Sequence, residues 1–144
     1  MGYCIEKEEG RINIKKENMK PLLQMLSDYF KSGNELRWFD EFNIDDVNLE
    51  SFDLKHYDEN DDERMSISQV FGEYLRYGLT QDNEYYTIVD FYGEKLGDDD
   101  IFFKLIAPYC EDGYIQFLGE DGDRFRYVIK NGEFEEKYAT LSWD

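Results

Sequence analysis

Apolar residues recur at helical spacing in three stretches of the chain, and each stretch predicts a helix with one buried face. The first extends from Asn18 to Lys31, the second from Ser66 to Gly78 and the third from Gly97 to Tyr109. Ser66 and Gln69 form a capping-box pattern at the start of the second helix, because each side chain can satisfy a free backbone amide of the first turn. The stripe of the first helix indicates core packing rather than a cofactor site.

Alternating, β-branched and aromatic runs predict strands on both sides of these helices. Two short strands precede the first helix, and Gly10 separates them. The last third of the chain is predicted to be an antiparallel meander, in which Asn131-Gly132 is a strong two-residue hairpin signal. The predicted strands are Tyr3 to Lys7, Arg11 to Ile14, Tyr85 to Tyr92, Tyr114 to Leu118, Arg124 to Lys130 and Phe134 to Trp143.

The order of these elements, with strands at both ends and helices between them, predicts a single α+β domain over residues 1–144. We expect a mostly antiparallel sheet with a β-meander at the C-terminus and about three helices packed on one face. Residues 34–64 depart from the regular pattern. They combine apolar and aromatic anchors with a dense run of acids, so we expect irregular structure there.

Charge is the feature of the composition that most changes this picture. Thirty-four acidic residues stand against sixteen basic ones among 144, which gives a formal net charge of −18. Two blocks carry almost all of it, since residues 40–63 hold eleven acids and one base and residues 94–123 hold nine acids and two bases. If both blocks fold onto one side of the domain, the protein has a negative face and a near-neutral back.

So acidic a chain repels nucleic acids and anionic lipid surfaces and attracts basic protein surfaces. The sequence contains no apolar stretch long enough to span a membrane, and residues 1–10 do not resemble a secretory signal. Cys4 and Cys110 lie far apart, without a CxxC or Cys/His cluster, so we expect reduced thiols that pack as small core hydrophobes. These observations predict a cytoplasmic protein without a metal or a cofactor.

No motif in the sequence names a reaction. His56 is the only histidine, and a surface position is the better interpretation because no serine or cysteine nucleophile pattern accompanies it. The run from Asp58 to Glu63 lacks the glycine and the ligand spacing of a calcium loop. Asp98 to Asp100 suit the positive end of the third helix dipole, so helix capping is preferred over catalysis.

Arg124 and Arg126 flank an aromatic residue on a predicted strand. In a basic protein this interleaving could stack nucleic-acid bases. The surrounding negative charge argues against that interpretation here. We expect the two arginines to pair instead with acids of the neighbouring turn, at Glu120, Asp121 or Asp123.

The acidic blocks have two interpretations. Most charge runs are solvated surface, but a net charge of −18 exceeds what solubility needs. We prefer a binding surface in which carboxylates imitate nucleic-acid phosphates, because opposite charge speeds association while aromatic anchors supply affinity. The predicted partner-binding residues are Trp38, Asp40, Glu41, Asp45, Asp46, Asp58, Glu59, Asp61, Asp62, Glu63, Asp98, Asp99, Asp100, Glu120, Asp121 and Asp123.

These features predict a non-enzymatic inhibitor that binds a basic, nucleic-acid-handling protein such as a nuclease or a CRISPR effector. An immunity protein that neutralises a cognate toxin fits the same surface physics, and the sequence does not separate the two. An enzyme with an unrecognised carboxylate site is a third hypothesis. The oligomeric state stays open, since tyrosine-rich strands can pair at a sheet edge.

Three segments towards the C-terminus, Tyr92 to Asp99, Ile106 to Tyr109 and Gly119 to Tyr127, form the pattern GEKLGDD…APY…GEDGxxFRY. This pattern resembles one in small uncharacterised proteins of bacteria and their phages, and it implies no particular activity. In size and charge the whole chain also resembles phage-encoded inhibitors of host defence, such as anti-CRISPR and anti-restriction proteins. That second resemblance is one of composition and implies no site residue.

Overall fold

Six antiparallel strands form one sheet in this computed structural model, which describes residues 4–53 and 64–138. The strands are β1 (Ile5–Lys15), β2 (Tyr77–Gln81), β3 (Tyr85–Phe91), β4 (Gly113–Gly119), β5 (Arg124–Lys130) and β6 (Glu133–Tyr138). Their order across the sheet is β2-β3-β1-β4-β5-β6, so the first strand of the sequence lies inside the sheet and β2 and β6 form its edges. The α+β class and the C-terminal meander are confirmed.

The first strand is long and bent. Its second half, from Ile12 to Lys15, pairs with β3, and its first half, from Ile5 to Arg11, pairs with β4. Gly10 does not end the strand as predicted but bends it, because it adopts a φ of +93° that residues other than glycine rarely adopt. A Cβ at Gly10 would also clash with the carbonyl of Tyr114 on β4. The two predicted strands are therefore one.

Three helices cover one face of this sheet in the described ranges: α1 (Lys16–Lys31), α2 (Ile67–Gln69) and α3 (Asp99–Ile106). A π-helical turn at Val70–Tyr74 continues α2, and a 3₁₀ turn at Ala107–Tyr109 continues α3. The helices and the sheet bury their apolar faces against each other, as the hydrophobic stripes predict. Side chains fully buried between them include Leu22, Leu23, Leu26, Phe71, Phe102, Phe103, Ile12, Ile88, Ile115 and Phe117.

The second helix is shorter than predicted, and a strand follows it that the sequence pattern did not indicate. The Ser66 hydroxyl accepts a hydrogen bond from the Gln69 backbone N–H at 3.2 Å, as the capping box predicts. After the π-helical turn, Arg76 adopts a φ of +68°, which leaves the helical path, and β2 begins at the next residue. Gly78 is therefore not a helix cap. It lies in the edge strand β2, where a Cβ would come 2.5 Å from the Tyr92 hydroxyl.

The segment after α1 is irregular, apart from a 3₁₀ turn at Ile44–Asp46. Apolar anchors hold it on the helices. Phe42 packs edge-on against Phe30 of α1 with 5.9 Å between ring centroids, and Phe39 packs against Phe102 of α3 at 5.0 Å. The sequence prediction of an irregular segment with aromatic anchors agrees with this arrangement for residues 34–53 and 64.

Candidate protein-binding surface

The alternating strand directions bring distant parts of the chain to one end of the sheet. Because neighbouring strands are antiparallel, β1, β2 and β5 begin at this end and β3, β4 and β6 finish there. The backbone N–H of Glu120 donates to the carbonyl of Cys4 at 3.0 Å, and the N–H of Ile5 donates to the carbonyl of Glu94 at 2.8 Å. Two loops of the second acidic block thus flank the start of β1.

The first acidic block reaches the same end of the sheet. The backbone N–H of Asp40 donates to the carbonyl of Tyr74 at 2.9 Å, just before β2 begins. The Arg37 N–H donates to the Asp98 carboxylate at 2.7 Å, and the Asp98 N–H donates to the Arg37 carbonyl at 3.2 Å. We call this region the acidic end. Its exposed or partly exposed carboxylates include Asp40, Glu94, Asp98, Asp100, Glu120, Asp121 and Asp123.

The opposite end of the sheet is electrically mixed. Lys15 lies there, 3.6 Å from the carboxylate of Glu111. The Asp82 carboxylate accepts hydrogen bonds from the backbone N–H groups of Glu84 and Tyr85, and these bonds lower its pKa. At this end, Asp82 is thus engaged in a turn and Glu111 in an ion pair.

Large apolar side chains are exposed at the acidic end. Among the described residues, four such side chains stand out, and all four lie in this region: Trp38 is 52% exposed, Tyr92 61%, Ile101 38% and Tyr138 63%. Tyr92 directly follows β3, Tyr138 ends β6 and Ile101 lies in the first turn of α3. The four side chains share this end of the sheet, although β3 and β6 lie four strand positions apart, and exposed apolar groups near one another mark candidate interaction surfaces.

A glycine allows the Trp38 loop to approach α3. A Cβ at Gly97 would clash with the Arg37 carbonyl and with the Trp38 ring, so the two loops touch only because this side chain is absent. Trp38 itself has a φ of +76°, and the Arg37 guanidinium lies 5.4 Å from the centroid of its ring. These contacts fix the exposed indole beside Asp98.

A buried ion pair supports the acidic end from below. The Arg76 guanidinium donates to both oxygens of Asp99, at 2.7 and 2.9 Å, and lies between the rings of Phe39 and Phe91 at 5.1 and 5.3 Å. Asp99 also accepts from the Tyr77 hydroxyl at 2.8 Å and from the Gly97 N–H at 2.7 Å. Burial raises the pKa of Asp99, and Arg76 opposes that rise.

Asp99 therefore has to be removed from the predicted partner-binding residues. Its side chain is completely buried, so it is unable to face a partner. The three aspartates of this turn have different contacts. The Asp98 carboxylate accepts from the Arg37 N–H beside Trp38, the Asp99 carboxylate pairs with Arg76, and Asp100 is exposed. None of the three uses its side chain as a conventional N-cap, because the Asp98 carboxylate makes no capping hydrogen bond to the α3 amides.

The remaining predicted residues fall into three groups. Trp38, Asp40, Asp98, Asp100 and the turn acids Glu120, Asp121 and Asp123 meet at the acidic end. Glu41, Asp45 and Asp46 are exposed along the segment beside α1, where the Ile44 N–H donates to the Ser27 hydroxyl at 3.0 Å. Asp58, Glu59, Asp61, Asp62 and Glu63 lie outside the described residues, as does His56.

The face of the sheet without helices carries a polar network that the sequence did not indicate. Arg124 donates to the Glu8 carboxylate from two nitrogens at 2.9 Å each, and this lowers the pKa of Glu8. The Gln116 amide donates to Glu8 at 2.6 Å and accepts from Arg126 at 2.8 Å. The partner of Arg124 is thus an acid at the bulge of β1 rather than one of the predicted turn acids, because antiparallel pairing brings β1 and β5 to either side of β4.

The two cysteines differ in environment. Cys110 is buried, as predicted, and burial raises the pKa of its thiol to about 12. Cys4 is exposed, contrary to the prediction that both thiols belong to the core, because β1 begins at the open acidic end. In residues 4–53 and 64–138, no group of three or more His, Cys, Asp or Glu side chains is arranged to hold a metal ion.

No helix in the described ranges is long and apolar enough to cross a membrane. Comparison with known proteins adds no assignment to this geometry. No family model, no curated protein and no solved structure matches the chain.

Proposed function

We propose that the protein is a non-catalytic inhibitor, which docks its acidic end on the basic surface of a nucleic-acid-handling protein and imitates nucleic-acid phosphates there. One observation carries this proposal. Carboxylates from separate parts of the chain and the exposed side chains of Trp38, Tyr92, Ile101 and Tyr138 share one end of the sheet.

The two kinds of side chain have complementary roles in such a complex. Exposed carboxylates attract a basic surface and orient the approach, which raises the association rate. The apolar side chains exclude water once contact is made and supply most of the affinity. Large exposed apolar groups do not increase solubility. Their presence at the same end as the carboxylates therefore favours a binding surface over a face that is only solvated.

The partner class follows from charge. A surface that binds nucleic acid is lined by lysine and arginine, which pair with phosphates without regard to sequence. An array of carboxylates can occupy that surface and keep the nucleic acid out. A host defence protein that handles nucleic acid, such as a nuclease or a CRISPR effector, is the partner we favour, because the chain resembles phage anti-defence inhibitors in size and charge.

The test is capture followed by competition. The tagged protein is incubated with lysate of its native host, and the captured proteins are eluted with rising salt and identified. We expect a basic nucleic-acid-binding protein, whose binding to labelled nucleic acid is abolished by stoichiometric amounts of this protein. A captured partner that keeps its nucleic acid bound in the presence of saturating protein would contradict the proposal. A captured small toxin without nucleic-acid chemistry would replace it with the immunity hypothesis.

A further inference from the structure

A cleft of about 440 Å³ opens at the acidic end, beside the start of β1. β1 and β3 pair from Lys15–Tyr85 to Ile12–Ile88. Further along, the start of β1 contacts the segment after β3 through the hydrogen bond between the Ile5 N–H and the Glu94 carbonyl. The bulge between Lys7 and Glu9 and the bend at Gly10 lie between these two points. The cleft lies where the bent strand and the segment after β3 come together again.

The lining of this cleft has an apolar part and an acidic part. Ile5 and Leu118 supply apolar surface, while Glu6, Glu94 and Glu120 supply carboxylates, and no lysine or arginine of the described residues lines it. Glu8 and Arg124, which pair with each other on the open face of the sheet, are not part of the lining. The lining of the cleft thus combines negative charge with an apolar wall.

Its chemistry matches one kind of occupant. A long basic side chain has an apolar stem and a cationic head, so the stem can pack on Ile5 and Leu118 while the head meets the carboxylates. Arginine fits better than lysine, because its planar guanidinium pairs with carboxylates through two parallel hydrogen bonds and is more weakly hydrated. The volume lies at the small end of the range for ligand pockets, which suits one inserted side chain.

We propose that this cleft is the anchor site for an arginine side chain of the basic partner. The inference rests on the proposed function, and it assigns the specificity of docking to Glu94 and Glu120, two residues on loops that are far apart in sequence. The remaining exposed carboxylates of the acidic end then steer the partner, and the cleft fixes its register.

The first test uses a probe of defined chemistry. Backbone amide resonances of Gly93, Leu118 and Gly119 are followed by NMR while a capped Gly-Arg-Gly peptide is added to the full chain. We expect shifts concentrated at these residues, and none of that size with the same peptide carrying citrulline, which keeps the shape of arginine but not its charge. The variant Glu94→Gln with Glu120→Gln should lose the shifts, whereas Glu17→Gln with Glu84→Gln should keep them.

Three results would overturn the assignment. Equal shifts with the citrulline peptide would show that the cleft does not recognise the positive charge. Equal shifts with a lysine peptide would show that the cleft does not recognise the guanidinium group. Shifts spread evenly over exposed acids at both ends of the sheet would show non-specific attraction instead of a site.

The second test separates the cleft from the proposed function. N-ethylmaleimide should modify Cys4 at the cleft mouth, since Cys110 is buried. We expect the modified protein to bind the captured partner at least about tenfold more weakly, as truncation of an anchor does, and the affinity of Cys4→Ser to be the same before and after the treatment. Unchanged affinity after modification would refute the cleft assignment, while the proposed function would still stand if neutralising Asp40, Asp100 and Asp123 weakened the same complex.

Discussion

The Arg76 guanidinium reaches both carboxylate oxygens of Asp99, which is completely buried, at 2.7 and 2.9 Å. Arg76 precedes the edge strand β2, and Asp99 begins α3, so this pair joins the two sides of the acidic end. The same guanidinium donates to the Lys95 carbonyl at 2.9 Å. The pair therefore fixes the loop that carries Glu94 and the turn that carries Asp98.

Replacing Arg76 by methionine should destabilise the protein by about 3–5 kcal/mol, because it leaves the Asp99 charge buried without its partner. Urea denaturation followed by circular dichroism measures the change. Arg37→Met is the matched control, since Arg37 is exposed and its loss should change stability by less than about 1 kcal/mol. Similar small effects for both variants would show that the pair does not organise this end.

Gly97→Ala should cost about 1–3 kcal/mol, because its Cβ has to displace the Arg37 carbonyl and the Trp38 ring. Gly72→Ala is the control, since a Cβ there would meet the Tyr92 ring at an ordinary 3.5 Å. Thermal or urea unfolding of the two variants gives the comparison. If Gly97→Ala is as stable as Gly72→Ala, the close contact between the Trp38 loop and α3 is not as described.

Cys4 and Cys110 should differ in reactivity towards a thiol reagent. Burial raises the pKa of Cys110 from 9.0 to about 12, so its thiol stays protonated in the folded protein at pH 8 while Cys4 reacts. The stability linked to Cys110 is fully present below pH 9 and is lost as the pH rises towards 12. Ellman titration should count one thiol per native chain and two in denaturant. Two fast thiols in the native protein would contradict the placement of Cys110.

Added sodium chloride should stabilise the folded protein. A net charge of −18 repels itself in the compact state, and salt screens this repulsion over about 10 Å at 0.1 M. The urea midpoint should therefore rise with salt, and it should rise less for a variant with Asp40, Asp100 and Asp123 changed to asparagine. A midpoint that falls with salt would mean that attractive ion pairs outweigh the repulsion.

Local signals in the sequence predict the elements that local interactions determine. The stripe of α1, the alternation of β5 and the Asn131-Gly132 turn each need only neighbouring residues, and β5 has the predicted bounds. Asn131 and Gly132 take φ values of 54° and 75°, as a type I′ turn requires. The sequence pattern did not predict β2, because this strand is short, contains Gly78 and directly follows apolar residues at helical spacing.

The site could be predicted only in part, because its assembly depends on strand direction. The sequence identifies the acidic blocks, and the antiparallel order brings Asp40, Asp98 and Glu120 to one end. Asp98, Asp99 and Asp100 look equivalent in sequence, and only the position of Arg76 selects Asp99 for burial. Glu94 lies in the GEKLGDD pattern, which implies no activity, and the role we propose for it at the cleft rests on the hydrogen bond that its carbonyl accepts from Ile5.

The most direct test of the account is the association rate of the captured partner at several salt concentrations. The variant with Asp40, Asp100 and Asp123 changed to asparagine is compared with a control of equal charge, in which Glu17, Glu84 and Glu133 are changed to glutamine. We predict that the first variant associates at least about tenfold more slowly at low salt, with a weaker salt dependence, while the control behaves nearly like the wild type. Equal rates for the two variants would show that the acidic end does not guide binding.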